Sequence, residues 1–288
     1  MSKAAERLLD DGIVAEYPED LYHYDAIAQG VEGFDKIGEA EIALFHQQGY
    51  LVIHNAFTPQ EVQGALDGLL YLLSGANPNF KSVMYEQAAT GMDLETMPAE
   101  KRQDYVRKFM WFVEHDQRLH AMAHHAGLAD VVTRIMSGES PSLFQDMALL
   151  KPPNIGREKP WHQDHAYFDL PLETPVVGVW VALDEATTEN GCMIINPGSH
   201  RQGPMIHFKR RDWQICDTQV NNERALAVPL KPGGCLLFHS LMQHGTPINN
   251  SQKRRRAVQF HYRPVSADKS TEAERLAIFG SEGKDVTC

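Results

Sequence analysis

Val176-Val177-Gly178-Val179-Trp180-Val181-Ala182-Leu183 is the longest nearly unbroken apolar run in the chain, and its eight residues fall well short of the roughly 18 that a membrane span requires. Its length and β-branched content suit a buried strand. Similar runs flank it: Leu143–Leu150 before it, and Cys192–Ile195, Leu226–Leu230, Cys235–His239 and Ala257–Tyr262 after it, all separated by Pro, Gly and Asn. Short strands at turn-punctuated intervals predict a sandwich or barrel.

Upstream the texture is helical. Glu39 to Gln48 reads as a helix that Gly49 ends, ahead of a short strand Tyr50-Leu51-Val52-Ile53. Thr58-Pro59-Gln60-Glu61 combines an N-cap Thr, a Pro at the first helical position and a Glu three residues after the cap, and Val62, Ala65, Leu66, Leu69, Leu70 and Leu73 follow at helical spacing. Leu119 to Met136 predicts another helix, broken at Gly127. The expected architecture is mainly β with flanking helices packed on one sheet of a jelly roll. It forms one domain, with 1–35 as an acidic N-terminal extension, 36–140 as helical support, 141–265 as the jelly-roll core and 266–288 as a C-terminal tail.

The chain has 288 residues, 43% of them apolar, with 27 Lys+Arg against 38 Asp+Glu and a formal net charge of −11. That suits a globular domain with a sizeable core. Residues 1–50 hold 11 acids and 3 bases, whereas 201–256 hold 10 bases and 3 acids. An acidic chain with one local basic stretch lacks the footprint of a nucleic-acid binder. The N-terminus is charged where a signal peptide would be apolar. The four cysteines include no CxxC pair, and the chain ends Asp285-Val286-Thr287-Cys288 without a peroxisomal tripeptide. These features predict reduced thiols and a cytoplasmic protein.

Trp161-His162-Gln163-Asp164 carries the first chemical signal. On a strand His162 and Asp164 share a face, so an imidazole and a carboxylate can bind one metal ion together. His244-Gly245-Thr246 supplies a second imidazole, with Arg255 eleven residues beyond His244. Two histidines and one carboxylate form the facial arrangement of non-haem iron(II) sites, which leaves positions open for a co-substrate and dioxygen. Arg255 can form a bidentate pair with a carboxylate, and strand alternation turns Arg254 and Arg256 the other way.

Lys151-Pro152-Pro153, His162-Gln163-Asp164 with Tyr167-Phe168, Gly191-Cys192, Pro197-Gly198-Ser199-His200 and His244-Gly245-Thr246 with Arg255 together resemble the phytanoyl-CoA dioxygenase family, from about Phe45 to Pro264. The resemblance implies a double-stranded β-helix and an oxygenase dependent on iron(II), 2-oxoglutarate and dioxygen, which releases succinate and carbon dioxide. It implies His162, Asp164 and His244 as iron ligands and Arg255 with Thr246 as holders of the distal carboxylate of 2-oxoglutarate. Met147, Trp180, Gln163 and Lys108 would line the co-substrate pocket. Family members that halogenate have Ala or Gly where Asp164 stands, so hydroxylation of a small organic molecule is expected, with an acyl-CoA hydroxylase or a desaturase or cyclase as alternatives. A binding or regulatory jelly roll without turnover is the alternative from another class.

Segments 74–104 and 201–225 are expected to cover the barrel mouth. Tyr167, His200, Phe208 and Arg210 are the candidate substrate contacts, and Lys209, Arg210 and Arg211 would favour an anionic substrate. His165 is expected to point away from the metal, and His239 and His261 to be structural.

Overall fold

In this computed structural model, residues 8–9 and 15–280 are described. The Val176 run forms strand Val177–Ala182, buried along its whole length near the middle of a nine-stranded sheet. Its neighbours are Arg255–Pro264 and Cys235–His239, both antiparallel to it. Beyond Arg255–Pro264 come Pro141–Lys151 and Val106–Met110, and beyond Cys235–His239 comes Tyr50–His54. A second sheet has five strands in the order Ala26–Ile27, Leu226–Val228, Met193–Ile195, His244–Thr246 and Lys159–His162. The two sheets face one another across a core containing Trp180, Leu236, Phe238, Met193 and Ile195. This is a jelly roll, mainly β with flanking helices.

Period-two alternation on the large sheet decides what lies on each side. Along Arg255–Pro264, Val258, Phe260 and Tyr262 join the helical layer, while Arg255 and Gln259 line the cavity between the sheets. The helical layer is built by Glu39–Gln48, Pro59–Ser74, Gln117–Ala123 and Ala126–Ile135. Thr58 and Glu61 form the capping box at the start of Pro59–Ser74, and Gly49 ends the first helix at φ 81°. Phe260 is wholly buried against these helices, so its truncation to Ala would cost about 3–5 kcal/mol.

Several expectations are corrected. The break in the Leu119–Met136 helix falls at His124 and His125, because the His125 ring caps the next helix by accepting from the Gly127 N–H at 3.2 Å. Part of the acidic N-terminal stretch belongs to the fold: Ala26–Ile27 and Val31–Glu32 pair in the two sheets, and Leu21, Tyr22 and Ala28 are buried. The C-terminal stretch contains a helix, Glu272–Phe279, with a Thr271/Glu274 capping box and Phe279 buried against Ala166 and Leu241. No residue of segment 74–104 lines the cavity between the sheets, and its strand Val83–Tyr85 extends the large sheet beside Val106–Met110. Cys192 and Cys235 are free and buried. Among the described residues no helix is long and apolar enough to cross a membrane.

Candidate active site

His162 and His244 stand directly opposite one another on antiparallel neighbours of the small sheet. Gly245 lets the strands approach closely beside His244, since a Cβ there would lie 3.1 Å from the Lys159 carbonyl and from the Tyr22 ring. The strand carrying His162 ends at that residue, and Asp164 opens a 3-10 turn over Asp164–Tyr167. The two ligand-type side chains therefore converge through a strand-to-turn bend, where a continuous strand was expected. His165 faces away and contacts Ser240 at 3.0 Å.

The geometry fixes the tautomer that each ring adopts when neutral. The Nδ1 of His162 lies 2.8 Å from the Pro160 carbonyl and that of His244 lies 3.0 Å from the Met242 carbonyl. A carbonyl only accepts, so each Nδ1 carries a proton, and in the neutral ring Nε2 presents the lone pair. Those Nε2 atoms lie 3.1 and 3.6 Å from Asp164 Oδ1, and the three ligand atoms fall within 4.8 Å of one another. Burial pushes His244 down to about 3. Burial alone would raise Asp164, but His244 and His261 outweigh it and hold the carboxyl well below its ordinary range. With both rings neutral, as metal binding requires, three buried lone pairs converge on one point, an arrangement that a divalent cation satisfies.

One cavity of about 160 Å³ is bounded by these three residues and by Arg255, Thr246, Trp180, Met147, Lys108 and Tyr167. Arg255 is 2% exposed. One terminal nitrogen donates to the Leu149 carbonyl at 3.0 Å, and the guanidinium lies 5.3 Å from the Trp180 ring centre. Its Nε has no partner, and no carboxylate among the described residues pairs with it. Burial and the neighbouring Arg107 press its pKa down to about 9. The adjacent arginines turn outward and are neutralised, Arg254 by Asp104 at 2.8 Å and Arg256 by Asp184 at 2.7 Å.

Four expected residues lie off this cavity. Gln163 is fully buried, but its side chain donates to the Gly203 and Leu241 carbonyls and accepts from the Met205 N–H, so it ties loops together behind the metal ligands. The His200 ring packs on Gly49, where a Cβ would come within 2.4 Å of Nδ1, and contacts the His46 carbonyl at 3.1 Å. Phe208 is buried in the hairpin His207–Lys209/Trp213–Ile215, and the half-exposed Arg210 lies 3.8 Å from Asp217. Of segment 201–225 only Asp212, at the turn of that hairpin, reaches the cavity wall. Lys209 is exposed and Arg211 is consumed by Glu158 and Asp217, so the basic run does not face the cavity.

The sequence profile described as phytanoyl-CoA dioxygenase matches residues 45–257. The chain belongs to the phytanoyl-CoA dioxygenase family. A family relative from Danio rerio, phytanoyl-CoA dioxygenase domain-containing protein 1, is 24% identical over 262 residues, covering 79% of this chain and 90% of the relative. Peroxisomal phytanoyl-CoA dioxygenase of Bos taurus is 27% identical over 233 residues, covering 76% and 66%. Among solved structures, the α-ketoglutarate-dependent carbocyclase SnoK of nogalamycin biosynthesis aligns with a TM-score of 0.65 at 19% identity, covering 84% and 90% of the two chains. EvdO2 of Micromonospora carbonacea var. aurantiaca, complexed with 2-oxoglutarate, aligns at 0.63 and 23%, covering 82% and 94%. At these identities the structures establish a shared fold.

This family member also places on the cavity wall, or directly behind it, residues to which its sequence gave no role at the site. Lys159 reaches Tyr167 and Asp212, each at 2.8 Å, and the Tyr167 hydroxyl donates to the Trp213 carbonyl at 2.7 Å. Lys151 is 2% exposed and donates to the Arg157 and Pro247 carbonyls. His261, expected to be structural, lies 2.7 Å from Asp164 Oδ2, and Gln259 lies 3.1 Å from the same oxygen. Their signal was the alternation that leads from Arg255 through 257, 259 and 261 on one face of a strand.

Proposed function

We propose that this chain is an iron(II)- and 2-oxoglutarate-dependent dioxygenase acting on a small organic molecule. The observation that carries the reading is the pairing, in one cavity, of three converging lone pairs on His162, Asp164 and His244 with a buried guanidinium lacking a carboxylate partner. His162, Asp164 and His244 would hold the metal. Arg255 and Thr246 hold the distal carboxylate of the co-substrate, Trp180 and Met147 wall it in, and Lys108 adds a cation on the same wall. When bound, iron with 2-oxoglutarate activates dioxygen and couples decarboxylation to succinate with oxidation of the substrate. The carboxylate at Asp164 favours hydroxylation, because the position that a halide would need is filled. Tyr167, with Lys159 and Asp212 beside it, is the substrate contact of this reading. The expected compartment is the cytoplasm.

Anaerobic protein given iron(II) and then 2-oxoglutarate should develop the charge-transfer absorption of the bidentate chelate, and air should then yield succinate that EDTA prevents. Absence of both signals from the wild-type protein would remove the reading. Matched free acids and CoA thioesters as additives, scored by the rise in succinate formation, separate the two substrate classes.

A further inference from the structure

The carboxylate of Asp164 is gripped from both sheets. Its Oδ1 faces His162 and His244 of the small sheet, whereas its Oδ2 lies 2.7 Å from His261 Nε2 and 3.1 Å from Gln259 Nε2, both on the large-sheet strand that begins at Arg255. His261 is wholly buried, with Phe168, Phe144 and Phe238 around its ring at 4.9, 6.2 and 6.4 Å between centres. Its Nδ1 has no partner. Gln259 Nε2 also lies 3.1 Å from His261 Nε2, so the two nitrogens and Asp164 Oδ2 form one buried cluster; a proton on Nδ1 would be an orphaned buried donor, which places the ring's proton on Nε2, towards Asp164.

We infer that His261, assisted by Gln259, is a positioning residue that holds Asp164 as a one-oxygen metal ligand. A carboxylate that swung to offer both oxygens would abandon two buried hydrogen bonds, and it would fill a coordination position that the proposed reaction leaves open. The same strand carries Arg255, two alternations upstream of Gln259, so one rigid element sets both the ligand's orientation and the co-substrate's anchor. This inference rests on the metal-binding reading above and adds to it the residues that decide how Asp164 binds.

The test uses metal-free full-length protein titrated with cobalt(II), whose visible bands report both affinity and coordination number. His261→Leu should weaken cobalt(II) binding by about 10- to 100-fold, the usual effect of removing a partner of a metal ligand, and should change the intensity of the bands. His261→Gln, whose amide nitrogen reaches the place of Nε2, should restore both. Gln259→Leu should weaken binding less and shift the bands the same way, and it carries the test if His261→Leu does not fold. Wild-type affinity and spectrum in His261→Leu, or in Gln259→Leu where that variant carries the test, would overturn the inference. So would a loss that His261→Gln fails to rescue while remaining folded. Failure of the wild-type protein itself to bind cobalt(II), or undiminished binding in His162→Ala, would instead overturn the metal-binding reading.

Discussion

Arg211, at the hairpin, and Arg255, at the deep end of the cavity, are each 2% exposed, but their surroundings differ completely. Arg211 pairs with Asp217 through two nitrogens at 2.6 and 2.8 Å and with Glu158 through a third. Burial alone would lower it, but Asp217 and Glu158 reverse the effect and hold it above its ordinary value. Arg255 has one carbonyl and one indole face, with Arg107 and Lys151 near it and Asp184 acting only at a distance. A buried charge that finds its partners within the chain is part of the architecture. One that does not marks where a ligand's charge belongs.

The contrast breaks most severely at the metal ligands. Asp164→Ala should abolish iron-dependent succinate formation, and circular dichroism should show an unchanged fold; full activity would disprove the ligand set. The two arginines separate next. Removing one partner of a charge-assisted pair costs about 2–5 kcal/mol, so Arg255→Gln should raise the 2-oxoglutarate concentration for half-maximal binding at least tenfold while changing the denaturation midpoint little. Arg211→Gln strands two carboxylates and should cost about 3–5 kcal/mol of stability with co-substrate affinity intact. Identical profiles for the two variants would refute the distinction.

A third way of burying an ionisable group is to keep it neutral. Burial pushes His207 and His239 each to about 3, and each accepts a backbone N–H, from Gln163 and Leu241 at 3.0 Å. Their folded pKa lies below the unfolded one of about 6.5, so the stability they contribute is present above that pH and drains away as the pH falls towards 3. The slope is about 1.4 kcal/mol per pH unit for each group. Urea titrations across that window should show it, and His239→Asn should remove one group's share; an unchanged slope would mean that His239 does not titrate as argued. The smallest effect belongs to the exposed basic residues. Lys209→Ala with Arg210→Ala should alter stability by less than about 0.5 kcal/mol and leave succinate formation from every additive unchanged.

How far all this was legible in the sequence follows from how local each signal is. The strands around Val177–Ala182 and the capped helix Pro59–Ser74 were readable because composition and spacing within a few residues determine them. His162, Asp164, His244 and Arg255 were readable because their order and spacing form a joint pattern. Lys159 and Asp212 were not, since each is an ordinary polar residue whose meaning arises only when the hairpin turn lands over Lys159. The two-residue strands Ala26–Ile27 and Val31–Glu32 are too short to carry a period and exist through pairing. Two signals were present and passed over: the Thr271/Glu274 box of the last helix, and the alternation that carries Arg255 to Gln259 and His261.

The placement of the two histidines has a further consequence. Lys159–His162 is the outermost strand of the small sheet and is held to His244–Thr246 by a short ladder whose register shifts between His244 and Thr246. Such an edge opens by local excursions well below the cost of unfolding the domain. A metal ion bound to His162 and His244 acts as a clasp across that edge, since the strand cannot leave without releasing the ion. At a free metal concentration one hundred times its dissociation constant, the open state loses about 2.7 kcal/mol relative to the closed one. Amide hydrogen exchange along 159–164 should then slow by about a hundredfold on metal binding, while amides under the helical layer keep their rates.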